Sequence, residues 1–211
     1  MYLLHELLAA LPPSEDGETV ETELHMQDYN ASVLSLVTFP NLLLTWYMSA
    51  AAAEFRNSQP CPSVEDADAA IPIPPADPHT PGDLPLPPAL TAAFRASLAA
   101  HRITLRFFAG AWGAFAVPHP YALVLTSETI YRSASLAPLL RLLREAAGSG
   151  DQADQEHMCL VAAKVLYFGV GGGVEEFVRR VREMGGEVEP MWEVSAGVGR
   201  RVMRVRWHAA D

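Results

Sequence analysis

Cys159-Leu160-Val161-Ala162-Ala163-Lys164-Val165-Leu166-Tyr167-Phe168-Gly169-Val170-Gly171-Gly172-Gly173 is the stretch whose reading decides the fold. Leu160 to Phe168 is an almost unbroken apolar run of strand length, and glycines follow it. A run apolar on both faces fits a strand buried inside a parallel sheet. Tyr121 to Thr126 reads the same way, and Ser127-Glu128-Thr129-Ile130-Tyr131 follows it. Both strands end in polar or glycine-rich residues, where an open α/β sheet places its site.

Outward from this pair, strands and helices alternate. Leu3, Leu4, Leu7, Leu8 and Leu11 stand at helical spacing, and Pro12-Pro13 stops that helix. Glu23 to Asp28 reads as a short strand, and Ala31 to Ser49 as a helix that Phe39-Pro40-Asn41 should bend or break. Leu90 to His101 is helical, Ile103 to Phe108 a strand and Ser135 to Ala146 a helix; Ser149 to Glu156 is a polar loop. Val174, Phe177, Val178 and Val181 share one face of a helix that Gly185-Gly186 ends. Two antiparallel strands, roughly 187–194 and 200–207, close the chain. The pattern predicts an α/β fold with a mostly parallel sheet and an antiparallel edge.

A chain of 211 residues is expected to form a single domain over 1–211 with a real core. Residues 58–88 hold ten of the 17 prolines among acidic and small residues, which predicts a disordered insertion dispensable to the fold. The net charge of −10 argues against a general nucleic-acid binder. Arg200, Arg201, Arg204 and Arg206 in the tail read as a solvated strand face or as a contact to an RNA-rich partner. Cys61 and Cys159 are the only cysteines; a disulfide between them is not expected, which fits a reducing compartment. No apolar run approaches the roughly 20 residues of a membrane span, and the start lacks the basic character of a signal peptide. The expected location is therefore cytoplasm and nucleus.

Several residues carry candidate chemistry. Asp28 at a strand end reads either as an acceptor for ribose hydroxyls or as a helix cap. Glu128 and Tyr131, three apart at the mouth of the sheet, read either as a proton-handling pair or as part of a capping box involving Thr126 and Thr129. Gly169-Val170-Gly171-Gly172-Gly173 fails the G-x-G-x-x-G pattern at Val174, so it reads as a loop closing over a substrate or as a tight strand–helix connection. Lys164 is the only lysine against 14 arginines, and its retention at a strand end suggests a specific role. The seven histidines are scattered without ligand spacing, and no metal is expected.

Five segments taken in order resemble the protein-histidine N-methyltransferases of the seven-strand S-adenosylmethionine-dependent superfamily. They are Gln27-Asp28-Tyr29-Asn30 with Leu36-Val37-Thr38-Phe39-Pro40-Asn41, then Phe107-Phe108-Ala109-Gly110-Ala111-Trp112, then Leu125 to Tyr131, then Ala163-Lys164, then Tyr167 to Gly173. The resemblance implies a Rossmann-like sheet of order 3-2-1-4-5-7-6 and S-adenosyl-L-methionine as methyl donor. It implies transfer to a histidine ring nitrogen of a protein, a large-subunit ribosomal protein above all, by a monomer that touches neither membrane nor nucleic acid directly.

By the same resemblance Asp28, Tyr29, Trp112 and Ser127 would hold the cofactor, and Glu128 and Tyr131 would be catalytic. Lys164, Tyr167, Phe168, Gly169, Gly171, Gly172 and Gly173 would meet the substrate. Two departures stand out. Ala111 occupies a position where relatives usually carry an acid, and the family's first strand and Gly-rich loop have no counterpart before Met1. The sheet is therefore expected to be incomplete at the N-terminus, and this chain alone to be unstable or a poor cofactor binder. Lysine methylation and a non-catalytic peptide-binding role are the competing expectations.

Overall fold

A computed structural model describes residues 1–11, 21–59, 74, 76–77, 79–148, 157–165, 172–195 and 197–207. The polar loop expected at 149–156, residues 60–73 with Cys61, and Tyr167 to Gly171 lie outside the described residues. The chain divides into two compact units, Met1–Gly110 and Ala111–Asp211.

The first unit runs α1 (Tyr2–Ala10), β1 (Thr22–Asp28), α2 (Ala31–Val33), a π-helical turn (Leu34–Thr38), α3 (Phe39–Met48), α4 (Ala53–Ser58), α5 (Pro88–Ala100) and β2 (Ile103–Ala109). β1 and β2 pair in parallel, Thr22 opposite Ile103 through Asp28 opposite Ala109. Its core gathers Leu4 and Leu8 of α1, Leu42, Leu43, Trp46 and Tyr47 of α3, and Leu90, Phe94 and Leu98 of α5, with Ile103 of β2. Burying one such side chain stabilises by about 1.5–3 kcal/mol.

Phe39-Pro40-Asn41 does not break the helix as expected. Ala31–Met48 is continuous, and the turn just before the proline is wound as π-helix. Proline lacks the N–H for an i→i−4 bond, and its ring crowds the carbonyl four residues back. A π turn widens the backbone there, with the Phe39 N–H bonding the Leu34 carbonyl, so the helix passes through. The continuity has a second consequence. Ala31–Met48 is long and apolar enough, by length and composition, to cross a membrane, with mean hydropathy 1.3, where the sequence led us to expect no such segment. Leu34, Leu42, Leu43, Trp46 and Tyr47 of that helix are buried, whereas Leu36, Val37 and Leu44 are exposed.

Beyond α4 the described part of 58–88 touches this core. The Tyr47 hydroxyl donates to the Pro74 carbonyl, and Ala76 and Leu84 pack on the cluster. Arg56 Nη1 donates to the carbonyls of Tyr47 and Ser49, closing the C-terminal end of α3.

The second unit runs β3 (Leu123–Ser127), α6 (Ser133–Ala147), β4 (Met158–Lys164), α7 (Val174–Glu183), β5 (Gly186–Val194) and β6 (Arg200–Trp207). The sheet order is β3-β4-β6-β5; β3 and β4 are parallel, while β4–β6 and β5–β6 are antiparallel. The first unit's β2-β1 and this order match the 3-2 and 4-5-7-6 parts of the expected sheet. Strand alternation sends Cys159, Val161 and Ala163 of β4 and Met203 and Val205 of β6 into a core with Leu136, Leu139, Leu140 and Leu143 of α6 and Val174, Phe177 and Val181 of α7. Helix α7 carries Glu175 and Glu176 in its first turn and Arg180 and Arg182 in its last, which suits the helix dipole.

Candidate active site

The site residues of the second unit stand where β3 and β4 end side by side. Because these strands are parallel and in register, Ser127 lies opposite Ala162, and both strands deliver their C-terminal residues to one edge. Glu128 is the first residue past β3. Its backbone takes the left-handed region at φ 57, which costs a non-glycine residue about 1 kcal/mol or more. A hydrogen bond from the Glu128 N–H to the Ala162 carbonyl, 3.0 Å long, holds that conformation. The side chain reaches Lys164, with Oε2 3.9 Å from Nζ; both side chains are 42% exposed.

The capping-box alternative is not what the turn does. Helix α6 starts at Ser133 with Arg132 as N-cap and no side-chain cap bond. Thr126 and Thr129 instead bond each other through their hydroxyls at 2.7 Å, which folds the segment between them into a closed turn. Ile130 is fully buried beneath it, and Tyr131 is 38% exposed. Gly172 packs against the same turn. A Cβ on Gly172 would stand 2.6 Å from the Tyr131 carbonyl oxygen and 2.9 Å from that of Ile130, so only glycine allows this approach. Farther along, Ser133 Oγ donates to Glu176 Oε2 at 2.9 Å, tying the start of α6 to the start of α7.

Ser127 opens onto a shallow hollow of about 230 Å³ that it shares with Leu125, Thr126, Leu160, Ala162 and Val202. Trp112 sits in a short 3-10 turn, Trp112–Ala114, and packs partly buried against the core of this unit. A larger hollow of about 640 Å³ runs along the outer side of α7. Its arginines are mostly tied up: Arg179 pairs with Glu176 and Glu183, and Arg201 with Glu193. It contains none of the residues expected to hold cofactor or substrate, so its size does not make it the site.

Asp28 and Tyr29 belong to the first unit. Asp28 Oδ1 accepts the Asn30 N–H at 2.8 Å, an Asx-type turn that stiffens the link from β1 to α2. The Gly110 N–H donates to the Asp28 carbonyl at 3.0 Å, so the ends of β1 and β2 are fastened together. Asp28 is not the cap of α2, whose N-cap is Asn30 with no side-chain cap bond; Oδ1 serves the turn, and Oδ2 makes no hydrogen bond among the described residues. Tyr29 is 64% exposed beside it. Among the expected site residues, the structure joins Glu128 with Lys164 and Gly172 with Tyr131. Gly173 enters α7 in extended backbone with open space at its Cβ position. The left-handed backbone of Glu128 went unforeseen, because no sequence rule marks a glutamate for that region.

The chain is related in sequence to the histidine protein methyltransferases. Histidine protein methyltransferase 1 of Schizosaccharomyces pombe is 32% identical over 169 residues, 76% of this chain and 41% of that protein. The Saccharomyces cerevisiae protein of the same name is 33% identical over 160 residues, and the Bos taurus homolog 31% over 173. The chain thus spans about two fifths of the length of the curated relatives it matches. No family model matches it. A solved structure, LepI C52A in complex with SAH and substrate analogue, is similar over 97% of this chain and 46% of that one at 13% identity, with a TM-score of 0.41. Over about three quarters of its length the chain is thus similar in sequence to proteins named histidine protein methyltransferase.

Proposed function

We propose that this chain acts in a methyltransferase that uses S-adenosylmethionine to methylate a histidine ring nitrogen of a protein, with a large-subunit ribosomal protein as the acceptor. The relatedness to proteins named histidine protein methyltransferase over three quarters of the chain is the observation that carries this reading. The residues present suit the group. In the first unit, taken by itself, Asp28 Oδ2 suits ribose hydroxyls and Tyr29 is an exposed aromatic; in the second, taken by itself, Trp112 is a partly buried aromatic and Ser127 opens onto a hollow at its strand end. S-adenosylmethionine supplies an electrophilic methyl group when bound.

The chain's own residues handle the acceptor. A neutral imidazole has one ring nitrogen with a lone pair and one carrying hydrogen. The task is to fix that tautomer and hold the ring, which is mainly positioning. Glu128 accepts the distal N–H and stabilises the positive charge that develops on the ring, and Tyr131 bounds the pocket beside it. Gly172–Gly173, with Tyr167, Phe168, Gly169 and Gly171, meet the peptide around the histidine.

The test is calorimetric titration of the folded 211-residue chain with S-adenosylmethionine, followed by methyl transfer to peptides that differ only in His versus Lys. Micromolar binding and methylation of the His peptide alone are expected. Transfer to the Lys peptide would reassign the acceptor. Absence of binding would overturn the enzyme reading for this chain and leave the non-catalytic one.

A further inference from the structure

Both ends of Glu128 are located by one strand. Its backbone N–H is held by the Ala162 carbonyl, and its carboxylate is met by the ammonium of Lys164, two residues further along β4. The spacing matters. Ala162 and Lys164 are i and i+2 on a strand and project from the same face of the sheet. The left-handed step at Glu128 turns the chain at the end of β3 while its N–H stays bonded to β4.

Sheet stability does not explain a cation at position 164. In the antiparallel register Lys164 lies directly opposite Arg200, and like charges directly opposite are destabilising. Glu128 is the acid that offsets this pair, and it reaches Lys164 from the parallel neighbour on the other side. The chain otherwise uses arginine for every basic position. A guanidinium is a rigid planar fork, whereas an ammonium is a compact point charge on a flexible stem that adapts to a single carboxylate oxygen.

We propose that Lys164 is a positioning residue: its ammonium holds the Glu128 carboxylate at the mouth of the β3–β4 pair, so that the carboxylate rather than the lysine meets the acceptor. This rests on the methyltransferase reading for its kinetic consequence, but not for its geometry.

The uniqueness of Lys164 allows a clean test. Selective 15N-lysine labelling of the full chain yields one Nζ resonance. Glu128→Gln is expected to shift that resonance, and Glu187→Gln to leave it in place. An Nζ signal indifferent to Glu128→Gln would overturn the proposal whether or not the chain methylates anything. With an active chain, Lys164→Met is expected to lower kcat about three- to tenfold at nearly constant peptide KM, and Lys164→Arg, which keeps the charge but not the compact ammonium, to restore it only in part. Lys164→Met placed on Glu128→Gln should add no further loss. A Lys164→Met that raised KM and spared kcat would make the lysine a direct peptide contact instead. Absence of methyl transfer by the wild-type chain would sink the functional reading while the resonance still decides the pairing.

Discussion

Cys159 opens β4 with 1% of its surface exposed, and burial pushes its thiol up to about 12 from an ordinary value of 9.0. The folded pKa is the higher one, so below about pH 9 the thiol is protonated in both states and costs the fold nothing. Above that, the unfolded chain ionises alone and binds fewer protons. Stability should then fall by about 1 kcal/mol per pH unit until the folded thiol also ionises. Urea melts between about pH 8 and pH 10 should therefore show a steeper alkaline loss for the wild type than for Cys159→Ala. Equal slopes would mean that the thiol ionises equally easily in both states. At this scale the sequence is informative about identity and poor about pose. Lys164 stood out as the lone lysine, and the structure sets it beside Glu128. The positive φ of Glu128 was not legible, because a bond to a strand far along the sequence supports it. The threonines read as possible caps bond each other instead, because the turn they bracket is closed on itself before α6 begins.

At the scale of elements, periodicity located most helices and strands, because each buries one face and its apolar positions repeat accordingly. Helix α7 is the clearest case, with Val174, Phe177 and Val181 buried and charged residues around them. The Ala31–Met48 helix was less legible. Proline rules address α-helical bonding, and the chain answers Pro40 with a π turn, which leaves no periodic mark in the sequence. The junction of α7 and β5 gives a sharp test of packing. A Cβ on Gly186 would lie 2.8 Å from both Trp207 Cε3 and Val181 Cγ1, and Trp207 and Val181 are both buried. Gly186→Ala should therefore destabilise by about 1–3 kcal/mol, as overpacking does. Gly173→Ala, with extended backbone and nothing within 4 Å, should melt close to the wild type. A Gly186→Ala variant as stable as Gly173→Ala would show that α7 and β6 yield more easily than a close-packed core should.

At the scale of the whole molecule, length predicts one domain, yet the apolar residues gather in two clusters, each within its own compact unit. Sequence could not divide them, because the apolar fraction is high throughout and the boundary at Gly110–Ala111 falls inside the segment that carries the family resemblance. Whether the clusters act as one cooperative domain is a matter of energetics that a cavity can probe. Phe177 is fully buried in the second cluster, and truncating such a side chain to alanine costs about 3–5 kcal/mol. If stability is partitioned as the clusters are, Phe177→Ala should speed amide exchange in β4, β6 and α7 and leave β1 and β2 near the wild-type rate. Leu43→Ala, in the first cluster, should do the reverse. Exchange followed by mass spectrometry at peptide resolution reads both patterns at once. Equal acceleration in all strands by either variant would establish a single cooperative domain, as chain length alone suggests.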